Sequence, residues 1–485
     1  MMPFQNLPPN YFNFINLLFN AIIASKYWPL LFKKSKMIFA PKQGKTPTDT
    51  LNYRPISLLE VLAKVFEKII MSRLLLVLEH NNFLPPHQFG FRPSRTTQQS
   101  IHSVFESIKE SKSQNKVVLV ATRDIRKCFD TVWLQGLLFK VFNHLHLNLH
   151  FTAFLYNYVF NRVVFPRFDS ELGPSFVPLS GVPQGSCLGP ILFLIYTHDL
   201  PSPIHRNTLV VQFADDVVHI VRSDNARPSK KIKNAMVKLK RELLQILEWE
   251  NEWLILTSWE KSLVGCSGVT KFTIEDLGGI RVGGHKLAIQ HNIKILGYNF
   301  SHNLSHSAHV SKLVTIAKFT LCKLYRFQSA PINIKKYLYF ALVRSLIEYP
   351  CSILNSTPPT LQIKLQRVQN KALRFIFNVS LRQRIRSETL HARARIDPMN
   401  IRLAKLTRKF LYKMKNIYIP APGFEEVPYM KLALDFDLTE DPILPPKMPI
   451  CEYVKNNLFS QGREPIIYSL PLDMEEFDIP LPIFA

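Results

Sequence analysis

A chain of 485 residues with only six cysteines, none in a CxxC pair, excludes a small disulfide scaffold and has room for roughly two to four domains. Hydrophobic residues at 47% and charged residues at 20% exclude wholesale disorder and a multi-spanning membrane protein. The 61 lysines and arginines against 36 aspartates and glutamates leave a net charge of +25, which points to a polyanionic partner, nucleic acid before an anionic membrane surface.

In chain order, residues 11–32 are apolar, but Asn13, Asn16 and Asn20 recur at helical spacing and Lys26 interrupts the run. That pattern predicts an amphipathic helix packed on the body in preference to a signal peptide or membrane span. A second helix is predicted over Leu58–Glu79, with Leu58, Leu59, Leu62, Val65, Phe66, Ile69, Ile70 and Leu74 on one face, and a third from near Thr96 to Lys112. The apolar, β-branched run within Lys116–Ile125 predicts a buried strand with Asp124 near its C-terminal end. Helical pattern resumes from Val132 to about Leu147. Leu179-Ser-Gly-Val-Pro-Gln-Gly-Ser186 is a Gly-rich turn leading into an apolar helix over Gly189–Leu200; it suits close approach of backbone and an amide to a flat ligand, and equally a plain tight turn. Leu209–Val221 predicts a β-hairpin whose tip carries Asp215 and Asp216. Beyond it come a helix over about Ser229–Glu252, short strands around Phe272, Arg281 and Lys294, and a long basic helical stretch from about His309 to Met414. Residues 416–485 hold 12 acidic and 4 basic residues with 11 of the 34 prolines, which predicts an extended acidic tail. The body before it, residues 1–415, has 57 basic and 24 acidic residues, a net of +33.

Adjacent carboxylates repel, and a divalent cation is the usual compensation. Alone, Asp215-Asp216 also fits a solvated turn, and Asp124 an ordinary strand end. If the Asp124 strand pairs beside the hairpin, three carboxylates from separate regions converge, as two Mg²⁺ ions handling phosphates would require.

Asp124-Ile-Arg-Lys-Cys-Phe129-Asp130, Ser180-Gly-Val-Pro-Gln-Gly-Ser186 and Phe213-Ala-Asp-Asp216, in that order, resemble motifs A, B and C of reverse transcriptases. Their form is similar to non-LTR (LINE-type, jockey-like) retrotransposon polymerases. Pro41-Lys-Gln-Gly-Lys45, Asn52-Tyr-Arg-Pro-Ile-Ser-Leu-Leu59 and Gln88-Phe-Gly-Phe-Arg92 with Arg95-Thr-Thr97 resemble that family's finger motifs. Leu256-Thr-Ser-Trp-Glu-Lys-Ser262 resembles motif D, Ile295-Leu-Gly-Tyr298 motif E, and Gln366-Arg-Val-Gln-Asn-Lys-Ala-Leu-Arg374 the helical region after the thumb. The resemblance covers about residues 15–410.

The resemblance implies an α+β right-hand polymerase: fingers over 1–115, palm over 116–304, a mostly helical thumb and extension over 305–415, and the acidic tail over 416–485. It implies RNA-directed DNA synthesis from a primer 3′-hydroxyl, on an RNA template with a DNA primer or target, using deoxynucleoside triphosphates. Asp124, Asp215 and Asp216 match the carboxylates that bind two Mg²⁺ ions, for which Mn²⁺ is a substitute. Phe129 matches the ring that excludes a ribose 2′-hydroxyl, and Gln184 the residue against the incoming nucleotide. Lys42 and Arg54 match finger cations on the triphosphate. Lys261 matches the motif D lysine, a candidate proton donor to pyrophosphate; as a residue it fits a solvated surface lysine equally well.

Four departures stand out. Arg123 occupies a usually hydrophobic position beside Asp124, Cys128 replaces alanine, and Thr257 and Ser262 replace the motif D Asn and Thr. With Arg123 and a chain that begins almost at the fingers, the second reading is a catalytically inactive nucleic-acid-binding remnant. The resemblance further implies no membrane association, an endonuclease supplied by another chain, and an intracellular, nuclear site of action after cytoplasmic synthesis. The histidines at 144, 146 and 150 and at 302, 306 and 309 are expected to be structural or surface groups.

Overall fold

The computed structural model describes residues 8–417 apart from 43, 45, 47, 50–51, 148, 225–227, 269–277 and 381. The predicted strand at Phe272 and the acidic tail beyond residue 417 lie outside the described residues. Helix α1 (Pro9–Ala24) begins on a proline, whose missing N–H costs nothing in a first turn. It buries Phe19 and Ile22 against the body, with Phe19 and Phe66 ring centroids 4.7 Å apart, while Tyr11, Phe14 and Leu17 stay exposed. The chain then turns through Leu30–Lys33 into strands β1 (Lys34–Pro41) and β2 (Tyr53–Leu59), which pair antiparallel.

Helix α2 spans Val61–His80, so Leu58 and Leu59 belong to β2 and not to the helix that their spacing suggested. The inward face is also rotated from the predicted one. Ala63, Phe66, Ile70, Leu74 and Leu78 are buried, a regular three-to-four spacing, whereas Val65 and Ile69 face solvent. Helix α3 (Thr97–Ser113) starts on Thr96, whose hydroxyl accepts from the Gln99 N–H while the Gln99 side chain accepts from the Thr96 N–H. The predicted helix from Val132 is shorter, α4 (Leu134–Asn143). It ends at His144, and His146 takes a left-handed φ of 51° before α5 (Leu149–Val159).

Strand β3 (Val118–Asp124) is the centre of a five-stranded sheet. Helix α6 (Gly189–Tyr196) precedes the hairpin of β6 (Thr208–Phe213) and β7 (Asp216–Arg222), and α7 (Pro228–Glu252) follows it. β3 pairs antiparallel with β7 on one side and with β8 (Leu263–Ser267) on the other. Because side chains alternate along a strand, the sheet has two distinct faces. Val118 and Val120 pack with Ile101, Val104, Phe105 and Ile108 of α3; Val117, Leu119 and Ala121 pack with Ala235, Leu239 and Leu243 of α7. A second sheet sets β4 (Val163–Phe168) parallel to β1 and antiparallel to β5 (Glu171–Leu172). The short strands expected at Arg281 and Lys294 are present at Ile280–Val282 and Asn292–Ile295.

Between Ser307 and Ile417 the described chain is mostly helical, including Ser307–Leu324, Pro359–Ile376 and Met399–Ile417. This part has its own core, in which Val310, Leu321, Tyr339, Leu365, Val368 and Leu403 are fully or nearly fully buried. Among the described residues, no helix is long and apolar enough to cross a membrane.

Candidate active site

Asp124 closes β3 and Asp216 opens β7, and the register places them directly opposite each other. Opposed residues on neighbouring strands project from the same face with Cβ atoms about 5 Å apart. Asp215 sits beside them in the two-residue turn, next to Ala214 with a left-handed φ of 58°. Asp124 and Asp216 thus face each other at one end of the sheet, with Asp215 in the adjoining turn.

Their electrostatics record the crowding. Burial pushes the Asp216 carboxyl up to about 6, with Asp215 and Asp124 adding to the rise and Lys294 opposing it. Asp215 is also raised, chiefly by burial; Arg54 and the Cys128 thiol pull it back, and Asp124 pushes it up. Cys128 Sγ lies 3.5 Å from Asp215 Oδ2 and donates to it, so the residue that departs from alanine supplies a weak hydrogen bond to the cluster. Lys261 Nζ lies 3.0 Å from Asp124 Oδ2 in an exposed pair, which makes Lys261 a counter-charge of the cluster.

Lys42 follows β1, where its N–H donates to the Asn52 carbonyl at 2.7 Å; burial raises the Asp130 carboxyl, with Lys127 and then Lys42 opposing the rise. Arg54 lies on β2 opposite Ala40. The turn Ser180–Ser186 is stitched between these parts by its main chain. The Gly181 N–H donates to Val132, Val182 to Phe129, and the Ser57 N–H of β2 donates to the Gln184 carbonyl at 2.7 Å. Gly185, at φ 114°, lies so close to β2 that a Cβ would stand 2.6 Å from the Ser57 oxygen. The Phe129 ring is half-buried between Phe91 and Phe193, with centroids 6.1 and 5.5 Å away.

Arg123 is the departure that the fold explains. It is one residue from Asp124, so alternation sends its side chain to the opposite face, toward α7. There its Nη1 pairs with Glu250 Oε1 and also reaches Thr257 Oγ1 at 3.1 Å, while Thr257 donates to the same Glu250 oxygen. Both charged side chains are at most 2% exposed. Two departures, Arg123 and Thr257, thus belong to one buried network, and the added charge is neutralised away from the carboxylates.

Two positioning groups have roles that the sequence reading does not assign. Buried Gln88 accepts at Oε1 from the Ala214 N–H (3.0 Å) and the Gly90 N–H (2.8 Å), and Phe89 donates to the Gln212 carbonyl; together they clasp the hairpin tip. Gly90 presses so close that a Cβ would lie 2.2 Å from the Ala214 nitrogen. Glu67, buried on α2, accepts from the Tyr158 hydroxyl (2.9 Å) and the Cys187 N–H (2.7 Å), anchoring the segment after the turn. An acid beside Phe66 on an apolar helical face was the available signal.

Residues 40–300 match the family described as reverse transcriptase (RNA-dependent DNA polymerase). The chain belongs to this family. Its mixed helix-and-sheet architecture is accordingly a polymerase fold. Among curated proteins, this reverse transcriptase chain is 29% identical over 392 residues to the probable RNA-directed DNA polymerase from transposon X-element of Drosophila melanogaster, covering 79% of this chain and 42% of that protein. It is 26% identical over 422 residues to the RNA-directed DNA polymerase from mobile element jockey of the same organism, covering 84% and 44%. The chain thus spans less than half the length of these relatives. Among solved structures it is similar to apo telomerase from Candida tropicalis, with a TM-score of 0.42 and 11% identity, covering 84% of this chain and 68% of that one.

Proposed function

We propose that this chain is the RNA-directed DNA polymerase of a non-LTR retrotransposon, extending a primer 3′-hydroxyl on an RNA template by two-metal nucleotidyl transfer. The observation that supports the reading is the register that sets Asp124 opposite Asp216, with Asp215 in the turn beside them. The donor set is all oxygen and its carboxyls resist ionising side by side, which fits hard divalent cations, Mg²⁺ first. When bound there, two such ions supply Lewis-acid activation of the 3′-hydroxyl and charge compensation for the triphosphate.

The protein's own residues do the rest. Lys42 and Arg54 hold phosphate oxygens, and the planar fork of arginine meets two at once. Gln184 lies against the incoming nucleotide, its loop fixed to β2. Phe129 limits the space available to a 2′-hydroxyl. Lys261, paired with Asp124 in the free chain, would supply a proton to pyrophosphate. In this reading, residues 1–115 act as fingers, 116–304 as palm and 305–415 as a helical thumb, with RNA template and DNA primer held along the basic body and deoxynucleoside triphosphates as substrates. With Arg123 neutralised on the far face, its charge gives no ground for an inactive remnant.

Primer extension on a poly(rA) template with an oligo(dT) primer tests the proposal. The parent should extend the primer, and Asp215→Asn should abolish extension while template binding, carried by phosphate contacts, stays within about twofold. Equal extension by parent and variant would refute the assignment.

A further inference from the structure

The C-terminal end of α4 meets the segment after α6 at a cluster that the polymerase reading does not use. We propose that His144, His198 and Asp199 form a binding site for a four-coordinate divalent transition metal, Zn²⁺ by its ligand chemistry, separate from the three polymerase carboxylates.

One ligand atom from each residue falls within a 4.8 Å span. His144 Nδ1 and His198 Nε2 are 3.3 Å apart, and Asp199 Oδ2 lies 3.9 Å from His144 Nδ1. Two imidazole nitrogens held about 2.0–2.1 Å from one tetrahedral ion lie about 3.3–3.4 Å apart, so the histidine spacing already matches a shared ion. The tautomer is set as well. His198 Nδ1 is 2.8 Å from the Ile195 carbonyl, an acceptor, so Nδ1 carries the proton and Nε2 presents its lone pair to His144.

The surroundings resemble a ligand shell held in place. Asp199 Oδ1 accepts from Lys140 Nζ at 2.6 Å and from Trp249 Nε1 at 3.2 Å, leaving Oδ2 directed toward the histidines. Lys140 is fully buried, also donates to the Tyr196 carbonyl at 2.7 Å, and lies over the Trp253 ring. The His198 ring stacks on Phe83 with centroids 4.1 Å apart. Two nitrogens and one carboxylate oxygen favour Zn²⁺ over Mg²⁺ or Ca²⁺, which prefer oxygen, and three protein ligands leave a fourth position for water. An ion here joins α4 to the segment that follows α6, and so stabilises the fold without entering the reaction.

Co²⁺ is the probe, added to the full chain in Mg²⁺-containing buffer. The parent should develop the visible bands of four-coordinate Co²⁺, saturating at one equivalent, free of thiolate charge transfer and displaced by Zn²⁺. His198→Asn and His144→Gln should each weaken Co²⁺ binding about 100-fold or more, with primer extension in Mg²⁺ unchanged. The two substitutions lie on different segments, so a variant that does not melt like the metal-free parent leaves the decision to the other. Absence of a saturable band in the parent, a thiolate signature, or parent-like affinity in a properly folded variant would reduce the cluster to a hydrogen-bonded histidine pair and overturn the proposal.

Discussion

Glu250→Gln keeps the shape of the side chain and removes the charge that compensates Arg123. Both side chains are at most 2% exposed, and the Arg123 Nε and Nη2 have no hydrogen-bond partner among the described residues. Burial already pushes the Arg123 pKa down and Glu250 pulls it back, so the variant leaves a desolvated cation with only Thr257 and the new amide oxygen to accept from it. Removing one partner of a buried pair costs about 3–5 kcal/mol, against a total domain stability of about 5–15 kcal/mol. The expected result in urea melts is a large fall in midpoint for Glu250→Gln and a similar fall for Arg123→Leu, which strands the glutamate. The double variant Arg123→Leu/Glu250→Leu should recover to within about 1–2 kcal/mol of the parent, because a well-packed apolar pair replaces a buried ion pair at little net cost. It should also keep primer extension, since the pair lies on the α7 face and the carboxylates on the other. A single-variant cost below about 1 kcal/mol, or a double variant no more stable than the singles, would refute the account of a neutralised buried network.

Three further outcomes follow from the same geometry. Phe129→Val should raise ribonucleotide incorporation relative to deoxynucleotide incorporation in a competition assay, because it removes ring bulk flanked by Phe91 and Phe193; an unchanged ratio would leave Phe129 as a packing residue. The Mg²⁺ concentration for half-maximal extension should rise as pH falls through about 6, where protonation of Asp216 competes with the ion; a flat Mg²⁺ requirement between about pH 7.5 and 5.5 would contradict the shift. In the metal-free protein the sign is opposite, since the folded state holds that proton more tightly than the unfolded chain: this carboxyl favours folding at low pH, and the benefit is lost as pH rises through about 6. Gln88→Leu should strand two buried N–H groups at Gly90 and Ala214, costing about 1–3 kcal/mol for each and lowering extension further than its effect on the melting midpoint explains; parent-like activity would separate the clasp from catalysis.

What the sequence made legible is what local pattern encodes. The Asp124 strand, the hairpin with its acidic tip and the Gly-rich turn were each readable from runs of a few residues. So was the start of α3, where Thr96 and Gln99 stand at capping-box spacing. The inner face of α2 was misread because Leu58 and Leu59 extend its apolar rhythm, and only pairing with β1 reveals them as strand. Long-range partnership was not legible. In sequence Arg123 reads as a charge lodged beside three carboxylates, and nothing near it announces Glu250, which lies 127 residues away. The same holds for His144, whose partners His198 and Asp199 arrive from the far side of the Gly-rich turn. Periodicity reports which way a side chain points, whereas the identity of what it meets depends on how the sheet and helices close.

The contacts of Gly90 with Ala214 and of Gly185 with Ser57 are meetings of main chain with main chain, with no side chain between. Spacing set in this way does not depend on the bulk of neighbouring residues. For directed evolution of the chain, this divides the region into two classes of position. Under the proposed function, half-buried residues such as Phe129 and Gln184 are the ones to randomise for nucleotide choice while the frame beneath them keeps its dimensions. The two glycines behave as fixed spacers, and a library that samples them spends most of its members on chains whose hairpin tip or loop has been pushed off its neighbour.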